Sequence, residues 1–374
     1  MTSLDDIEKL LISADSLKDG PAKIAVLEEA VLAADAYGDI DWQFHTRHTL
    51  VEACFTGGDP ERLLVALSWS LAKCDKLGGC YDEDRLLWGC KFALSYITAF
   101  PQISLAQIAE LREYAIERFR KYGASLRVVY LHCMGIEIVN GNTEQAENYH
   151  RLWRTFPRDG FSEPPDWEQF FEAWYHFFHE DKDRALELGI PMLEGKNCTP
   201  MVLLWVAHLL LPELVKRGDR DRAISAHLRT IRQTTENPKY LAQVASHLTF
   251  LTLTGNFARA ASVLSRQLAD ALHLRVPSAQ FSFYLSAWMS AKYMETNSSN
   301  EVKLILPEEF PLQQPDGCYR WSELSDWFEA QTHDLEAQFN ARNENTYFSK
   351  LITKQMDYVA HAKEWPIRTS AGDG

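Results

Sequence analysis

The sequence predicts an all-α protein, built as an α-solenoid of stacked antiparallel helix hairpins with a C-terminal helical cap. Three observations carry this reading. Apolar residues recur at helical spacing along most of the chain. Period-two alternation over five or more residues is nearly absent. Short turn sequences interrupt the helical patterns at a regular interval. The composition agrees: of 374 residues, 46% are apolar and 24% charged, which excludes a disordered chain, a collagen-like fibre and a disulfide-stapled miniprotein.

In chain order, Leu4, Ile7, Leu10, Leu11 and Leu17 fall near one helical face. After the Gly20-Pro21 stop, Ile24, Leu27, Ala30, Val31 and Ala34 mark the next. Breaks then begin at Gly58, Gly141, Glu180, Gly218 and Gly255, with offsets of 83, 39, 38 and 37 residues. The first offset is about double the others, which predicts a further break near Phe100-Pro101-Gln102-Ile103-Ser104. At each break Gly supplies a left-handed cap, Asp or Asn supplies the next N-cap oxygen, and a small residue lets two helices approach closely. One hairpin cannot bury its apolar stripe alone, but neighbours at a fixed period can. The most apolar run, Met201 to Leu211, is stopped by Pro212-Glu213 and reads as a buried core helix. Eleven residues cannot span roughly 30 Å of hydrocarbon.

The turns Gly141-Asn142 with Ala146, Gly218-Asp219 with Ala223, and Gly255-Asn256 with Ala260 resemble those of the tetratricopeptide repeat (TPR). The resemblance covers roughly residues 22 to 275, and it implies a right-handed solenoid. The sequence departs from the family at Glu180, which replaces the turn Gly, and at Leu63, which replaces the turn Ala. Where the family places a small residue late in the first helix, Val51, Met134, Leu211 and Leu248 stand, and Ala173 alone conforms. The period of 37 to 41 residues exceeds the family's 34.

The array is expected over 1–275 and a helical extension over 276–366, with a frayed tail at 367–374. Phe281, Tyr284, Leu285 and Trp288 mark one helix of the extension. A Pro-containing loop over 296–318 comes next, a linker or covering loop. Val302 to Leu306 is the best strand candidate, short and isolated. Leu324, Trp327, Phe328, Leu335 and Phe339 mark another helix. Phe348, Leu351, Ile352, Met356 and Val359 mark the last, suited to closing the solenoid's apolar end.

A net charge of −14 argues against nucleic acid as the main partner and against an anionic membrane. The opening Met1-Thr2-Ser3-Leu4-Asp5-Asp6 has neither the basic nor the apolar region of a signal peptide. Seven cysteines, at 54, 74, 80, 90, 133, 198 and 318, are odd in number and show no CxxC pair. Free buried thiols in the cytoplasm are expected, and the Asn197-Cys198-Thr199 sequon then has no meaning.

Chemistry-bearing patterns are sparse. His45 with His48, and His176 with His179, lack further ligands at zinc spacing. Glu147-x-x-His150 lacks the second copy that a di-iron bundle needs. Ser70-x-x-Lys73 lacks its partner motifs, and no nucleotide-binding glycine loop occurs. No cofactor or metal is expected. Trp167, Phe170, Phe171, Trp174, Tyr175, Phe177 and Phe178 form either a bulky hairpin core or an aromatic platform for a peptide. Three basic groups stand out: Arg112 to Arg127, Arg151 to Arg158, and Lys216 to Arg232. They read as solvated faces, or as captors of acidic peptide groups.

The expected function is a non-enzymatic scaffold or adaptor that binds a protein or peptide on its concave face. Arg47, Arg85, Arg127, Trp174, His208, Tyr240, Gln243 and His247 are the expected contacts. Two alternatives are an α/α-toroid enzyme such as a glycoside hydrolase, with Asp166 and Glu168 or Asp82, Glu83 and Asp84 as acids, and a ligand-responsive regulatory sensor.

Overall fold

A computed structural model describes residues 3–79 and 82–367. Cys80 and the tail from Arg368 lie outside the described residues. The protein is all-α. Helix contacts divide it into two compact units, Met1–Thr98 with Ile103–Ser162, and Ala99–Gln102 with Glu163–Gly374. The expected boundary near 275 falls inside the second unit.

The first unit holds α1 (Leu4–Asp15), α2 (Pro21–Tyr37), α3 (Ile40–Gly57), α4 (Pro60–Leu77), α5 (Glu83–Tyr96), α6 (Leu105–Tyr122), α7 (Arg127–Asn140) and α8 (Thr143–Thr155). Consecutive helices pack as pairs, α1 with α2, α3 with α4, and α7 with α8. Alternate helices also touch, α3 on α5 and α5 on α7. The core runs through Phe44, Leu50, Val51, Cys54, Leu63, Leu67 and Leu86. The break expected near Phe100 is real: Ser104 caps α6 with a capping box to Gln107.

The second unit holds α9 (Pro165–Phe178), α10 (Lys182–Leu193), α11 (Pro200–Arg217), α12 (Arg220–Thr235), α13 (Leu241–Leu253), α14 (Phe257–His273), α15 (Pro277–Asn297), α16 (Trp321–Asn343) and α17 (Tyr347–Asp357). Again consecutive helices pair, and α9, α11, α13 and α15 touch in succession.

The reversals inside the pairs share one geometry. Gly58, Gly141, Gly218 and Gly255 take φ of 79°, 74°, 75° and 73°. The following N–H, from Asp59, Asn142, Asp219 or Asn256, reaches back to a carbonyl of the last helical turn at 2.9 Å. Ala146, Ala185, Ala223 and Ala260 are fully buried, as is Leu63 at the equivalent place. Asp59, Asn142 and Asp181 cap the following helix with their side chains. Asp219 and Asn256 do not, contrary to expectation. The Asp219 carboxylate is held by Arg222 at 2.8 Å. The Asn256 amide is engaged by Trp365 and Ile367.

Three further expectations are corrected. The helix α11 does not stop at Pro212 but runs to Arg217. Proline forfeits one backbone bond, at a cost of ~3 kcal/mol. Leu210, Leu211, Leu214 and Val215 flank it and are fully buried, and each such side chain returns about 1.5–3 kcal/mol. Next, the strand near Val302 is not isolated. Strand β1 (Glu301–Lys303) pairs antiparallel with β2 (Cys318–Arg320), Val302 opposite Tyr319. The enclosed loop buries Leu304, Leu306 and Phe310 and sets Phe310 edge-on to Trp327 of α16 at 4.9 Å, so it covers rather than links. Lastly, the cysteines are not uniformly free and buried. Cys74 is disulfide-bonded. Cys54, Cys90 and Cys133 are free and buried, Cys198 is half-buried and Cys318 exposed. No described helix is long and apolar enough to cross a membrane.

Close helix approach explains a mid-helix glycine. A Cβ on Gly189 of α10 would lie 2.5 Å from Leu210 Cδ1 and 3.3 Å from Val206 Cγ1 of α11. We predict that Gly189→Val lowers unfolding free energy by about 1–3 kcal/mol in urea denaturation, because α10 and α11 must separate.

Candidate functional site

The eight residues named from sequence fall into two kinds. Those in the first unit are structural pins. Arg47 is buried, makes a two-pronged bond to Asp35 at 2.9 and 2.7 Å, and lies 3.7 Å over the Trp69 ring, which ties α3 to α2 and α4. Arg85 holds Glu52 of α3 through two bonds of 3.1 Å. Arg127 donates to the carbonyls of Trp153 and Phe156 at the end of α8. The wider basic groups are likewise engaged: Arg112 with Glu137, Arg118 with Asp75, Arg217 with Glu213 and Asp183.

Those in the second unit lie closer together, but mostly inside the core. Gln243 and His247 are each 1% exposed, and Tyr240 is buried. His208 is half-buried. His247 contacts His227 of α12, Nδ1 to Nδ1, at 3.1 Å and Thr230 Oγ1 through Nε2 at 3.3 Å. Burial holds all three rings neutral: His208 falls to about 4, His227 to about 3, and His247 well below the usual range, helped by its two His neighbours. His227 carried no sequence signal, because only the packing of α12 on α13 brings it there. Among the described residues no group of three or more His, Cys, Asp or Glu side chains could hold a metal ion.

On α9, Trp174 is half-buried and stacks on Phe170 at 6.2 Å. Phe170 and Phe171 are buried as core, while the far end of the helix meets the C-terminal segment. Phe178 lies edge-on to Tyr347 at 5.8 Å. The last helix packs on α15 and α16. Residues 345–367 lie against α15 and α16 and then against α11 and α13. Phe348 sits between Phe281 of α15 and Phe339 of α16, with centroids at 4.8 and 4.4 Å. Gln355 donates to Thr249 Oγ1 of α13 at 2.6 Å, above the buried pair Thr249–Ser286. A single-turn 3-10 helix, Tyr358–His361, packs on α11 and α13. Beyond it, main-chain bonds from Lys363 to Leu253 O (2.7 Å) and from Trp365 to Thr254 O (3.1 Å) pin the chain to the end of α13.

A polar cleft of about 500 Å³ opens where this segment crosses the α9–α10 turn and α11. Glu180 and Lys182 come from the turn, Glu213 and Lys216 from the last turns of α11. Thr346, Ser349, Lys350, Thr353, Lys354 and Asp357 form one helical stripe of α17, the face opposite Phe348 and Ile352. Glu180 is the key to the geometry. It occupies the position glycine fills in the other reversals, with φ of 62°. A side chain there costs on the order of 1–2 kcal/mol. Its carboxylate meets Lys182 at 3.2 Å and Lys354 at 2.9 Å. Lys182 also donates to the Phe177 carbonyl. Both ammonium groups lie over the Phe177 ring, at 3.4 and 4.7 Å from its centroid. Burial, and next Lys354, bring Lys182 down to about 7, although Glu180 opposes the shift. Lys354 holds Glu180 below the usual carboxylate range, against the effect of burial.

Sequence reasoning placed Lys216 among the basic residues but missed Lys182, Lys350 and Lys354. The available signal was the i, i+4 pair Lys350 and Lys354 on an amphipathic last helix, together with the missing turn glycine. Of the carboxylates considered for an enzyme, Asp82 caps α5 by accepting the Arg85 N–H at 3.1 Å, and Asp166 accepts the Thr199 N–H and hydroxyl at 2.9 and 2.7 Å. Neither protein-family models nor curated proteins match the chain.

This geometry makes two predictions. Glu180→Gln keeps the strained backbone and loses the charge, whereas Glu180→Gly releases the strain. The Gln variant should therefore be the less stable by about 1 kcal/mol in urea unfolding. The buried histidines bind protons only when unfolded, with an ordinary value of ~6.5. Unfolding thus takes up protons below that value, so stability is complete above pH ~6.5 and falls toward the folded value of about 3 for His227. For His227 the loss between pH 7 and 5 should be about 1–2 kcal/mol, and the double variant His227→Phe, His247→Leu should flatten that part of the stability–pH curve.

Proposed function

We propose that the chain is a TPR-like helical-repeat protein, a right-handed α-solenoid whose row of first helices holds a protein or peptide segment without catalysis of its own. The shared left-handed reversals and the succession α9, α11, α13, α15 support the solenoid. The observation that carries the binding role is the seat of residues 345–367. A short helix with two buried apolar anchors, Phe348 and Ile352, lies across successive first helices, and its flanking backbone bonds to Leu253 and Thr254. That is how an amphipathic peptide engages a helical groove. The engagement of Asp82 as a cap and of Asp166 by Thr199 favours binding over a toroid enzyme. The same docked segment favours a ligand-responsive regulator over a static scaffold, because an external ligand must compete with it.

Exchange of the segment tests the proposal. In the full chain, Phe348→Ala with Ile352→Ala removes both anchors, a loss of several kcal/mol of local packing. A labelled synthetic peptide of residues 345–367 should then bind the variant at least tenfold more tightly than the wild type in fluorescence anisotropy. Hydrogen exchange should show α17 released. A variant with α17 released and native circular dichroism that still ignores the peptide would sink the proposal.

A further inference from the structure

The cleft beside α17 has a charge imbalance that the binding of a peptide does not explain. Four ammonium groups face it: Lys182, Lys216, Lys350 and Lys354. Three carboxylates line it. Glu213 is already answered by Arg217 at 2.9 Å. Glu180 is shared by Lys182 and Lys354. Asp357 is exposed at the end of α17. Neither Lys216 nor Lys350 has an ion-pair partner among the described residues. With Lys182 protonated, four ammonium groups against three carboxylates leave an excess of one positive charge, and the two lysines without an ion-pair partner, Lys216 and Lys350, are both exposed. The hydroxyls of Thr346 and Ser349 lie on the same stripe as Lys350 and Lys354 and supply neutral donors, whereas Thr353 donates its own to the Ser349 carbonyl at 3.1 Å.

The lining chemistry selects among anions. Lysine is a compact point charge and suits a tetrahedral oxyanion approached from several sides, whereas a planar carboxylate is matched best by the arginine fork. Every arginine near the cleft is committed elsewhere; Arg217, the nearest, is held by Glu213 and Asp183. A volume of about 500 Å³ admits a phosphate with a small organic body. Glu180 keeps Lys182 and Lys354 side by side without neutralising both, at the expense of a left-handed backbone. Strain maintained in this way marks a position that the surroundings hold for a purpose.

We propose that this cleft is a binding site for a doubly charged oxyanion of the phosphate class, held by Lys216 of α11 and Lys350 of α17 beside the cluster of Lys182, Glu180 and Lys354. These residues belong to different elements, the α9–α10 turn, α11 and α17. A bound dianion therefore adds to the Glu180–Lys354 ion pair that already joins α17 to the α9–α10 turn. The site goes beyond peptide binding and is tested separately from it.

The groups that face Lys182 are Lys354, Glu180 and the Phe177 carbonyl, with Asp181, Asp183, Glu213, Lys216, Arg217 and His361 around the adjoining opening. Because Lys182 has been brought down to about 7, it is largely neutral at pH 8, and a dianion beside it restores its proton. Proton uptake is thus a readout that unspecific surface adsorption would not give.

The experiment is calorimetric titration of the full chain at pH 8 and constant ionic strength, in two buffers of different ionisation enthalpy. Inorganic phosphate, O-phosphoserine and acetate are the probes. Saturable binding of phosphate or phosphoserine is expected, with acetate at least tenfold weaker and with uptake of a substantial fraction of a proton. Tighter binding of phosphoserine would assign the site to a phosphate monoester, and equal binding to the free ion. Lys350→Gln with Lys354→Gln should weaken binding at least tenfold. Lys182→Met should abolish the proton uptake while circular dichroism stays unchanged. Hydrogen exchange of α17 should slow when phosphate is present. Absence of saturable binding by both phosphate probes would overturn the site. So would binding that is indifferent to the Lys350 and Lys354 substitutions, or that leaves proton uptake intact in Lys182→Met.

Discussion

The two-residue reversal between paired helices is the constraint on which everything else rests. A residue in the left-handed region ends one helix, and the next N–H bonds back into the last turn. The chain then restarts as a helix antiparallel to the first, close enough that Ala146, Ala185, Ala223 and Ala260 are fully buried between them. The helices are too short to be stable in isolation, so burial against neighbours supplies their stability. That burial also overrides local preference. It carries α11 past Pro212 and places Gly189 in the middle of α10, where a larger residue would meet Leu210.

One reversal departs from the rule, and the candidate site is built on the departure. At the α9–α10 turn a glutamate takes the left-handed position. Backbone geometry alone would favour glycine there by on the order of 1 kcal/mol. The side chain reaches both Lys182 and Lys354, so a local conformational cost is linked to a contact 174 residues away in sequence. Phe177, one helical turn before, presents its ring to the same two ammonium groups. The aromatic cluster of α9 thus serves two ends: Phe170 and Phe171 are core, and Phe177 and Phe178 meet the C-terminal segment.

Much of the fold was legible in the chain, because its signals are local. Helical periodicity, the glycine-Asx reversals and their spacing need only neighbours in sequence. Even the doubled first offset located a true break before Ser104. Where the sequence misleads, a distant partner intervenes. Asn256 reads as an N-cap, yet its amide is taken by Trp365 and Ile367. Val302 reads as an isolated strand because its partner, Tyr319, lies beyond the loop that carries the prolines. Arg47 and Arg85 each meet a carboxylate on a neighbouring helix, Asp35 and Glu52, a pairing that the spacing of neither arginine announces. A sequence shows that an arginine is charged, not which acid the packing sets beside it.

The all-α class and the recurring two-helix unit were determined by the sequence alone, since both come from the period of apolar residues and from where glycine or its substitute breaks it. Tertiary structure decided the rest. It set residues 345–367 against α11, α13, α15 and α16, and so turned four lysines that sequence scatters from 182 to 354 into one cleft. The physical reason is range: helix formation depends on residues three and four apart, whereas the cleft depends on a single late choice about which apolar surface Phe348 and Ile352 cover.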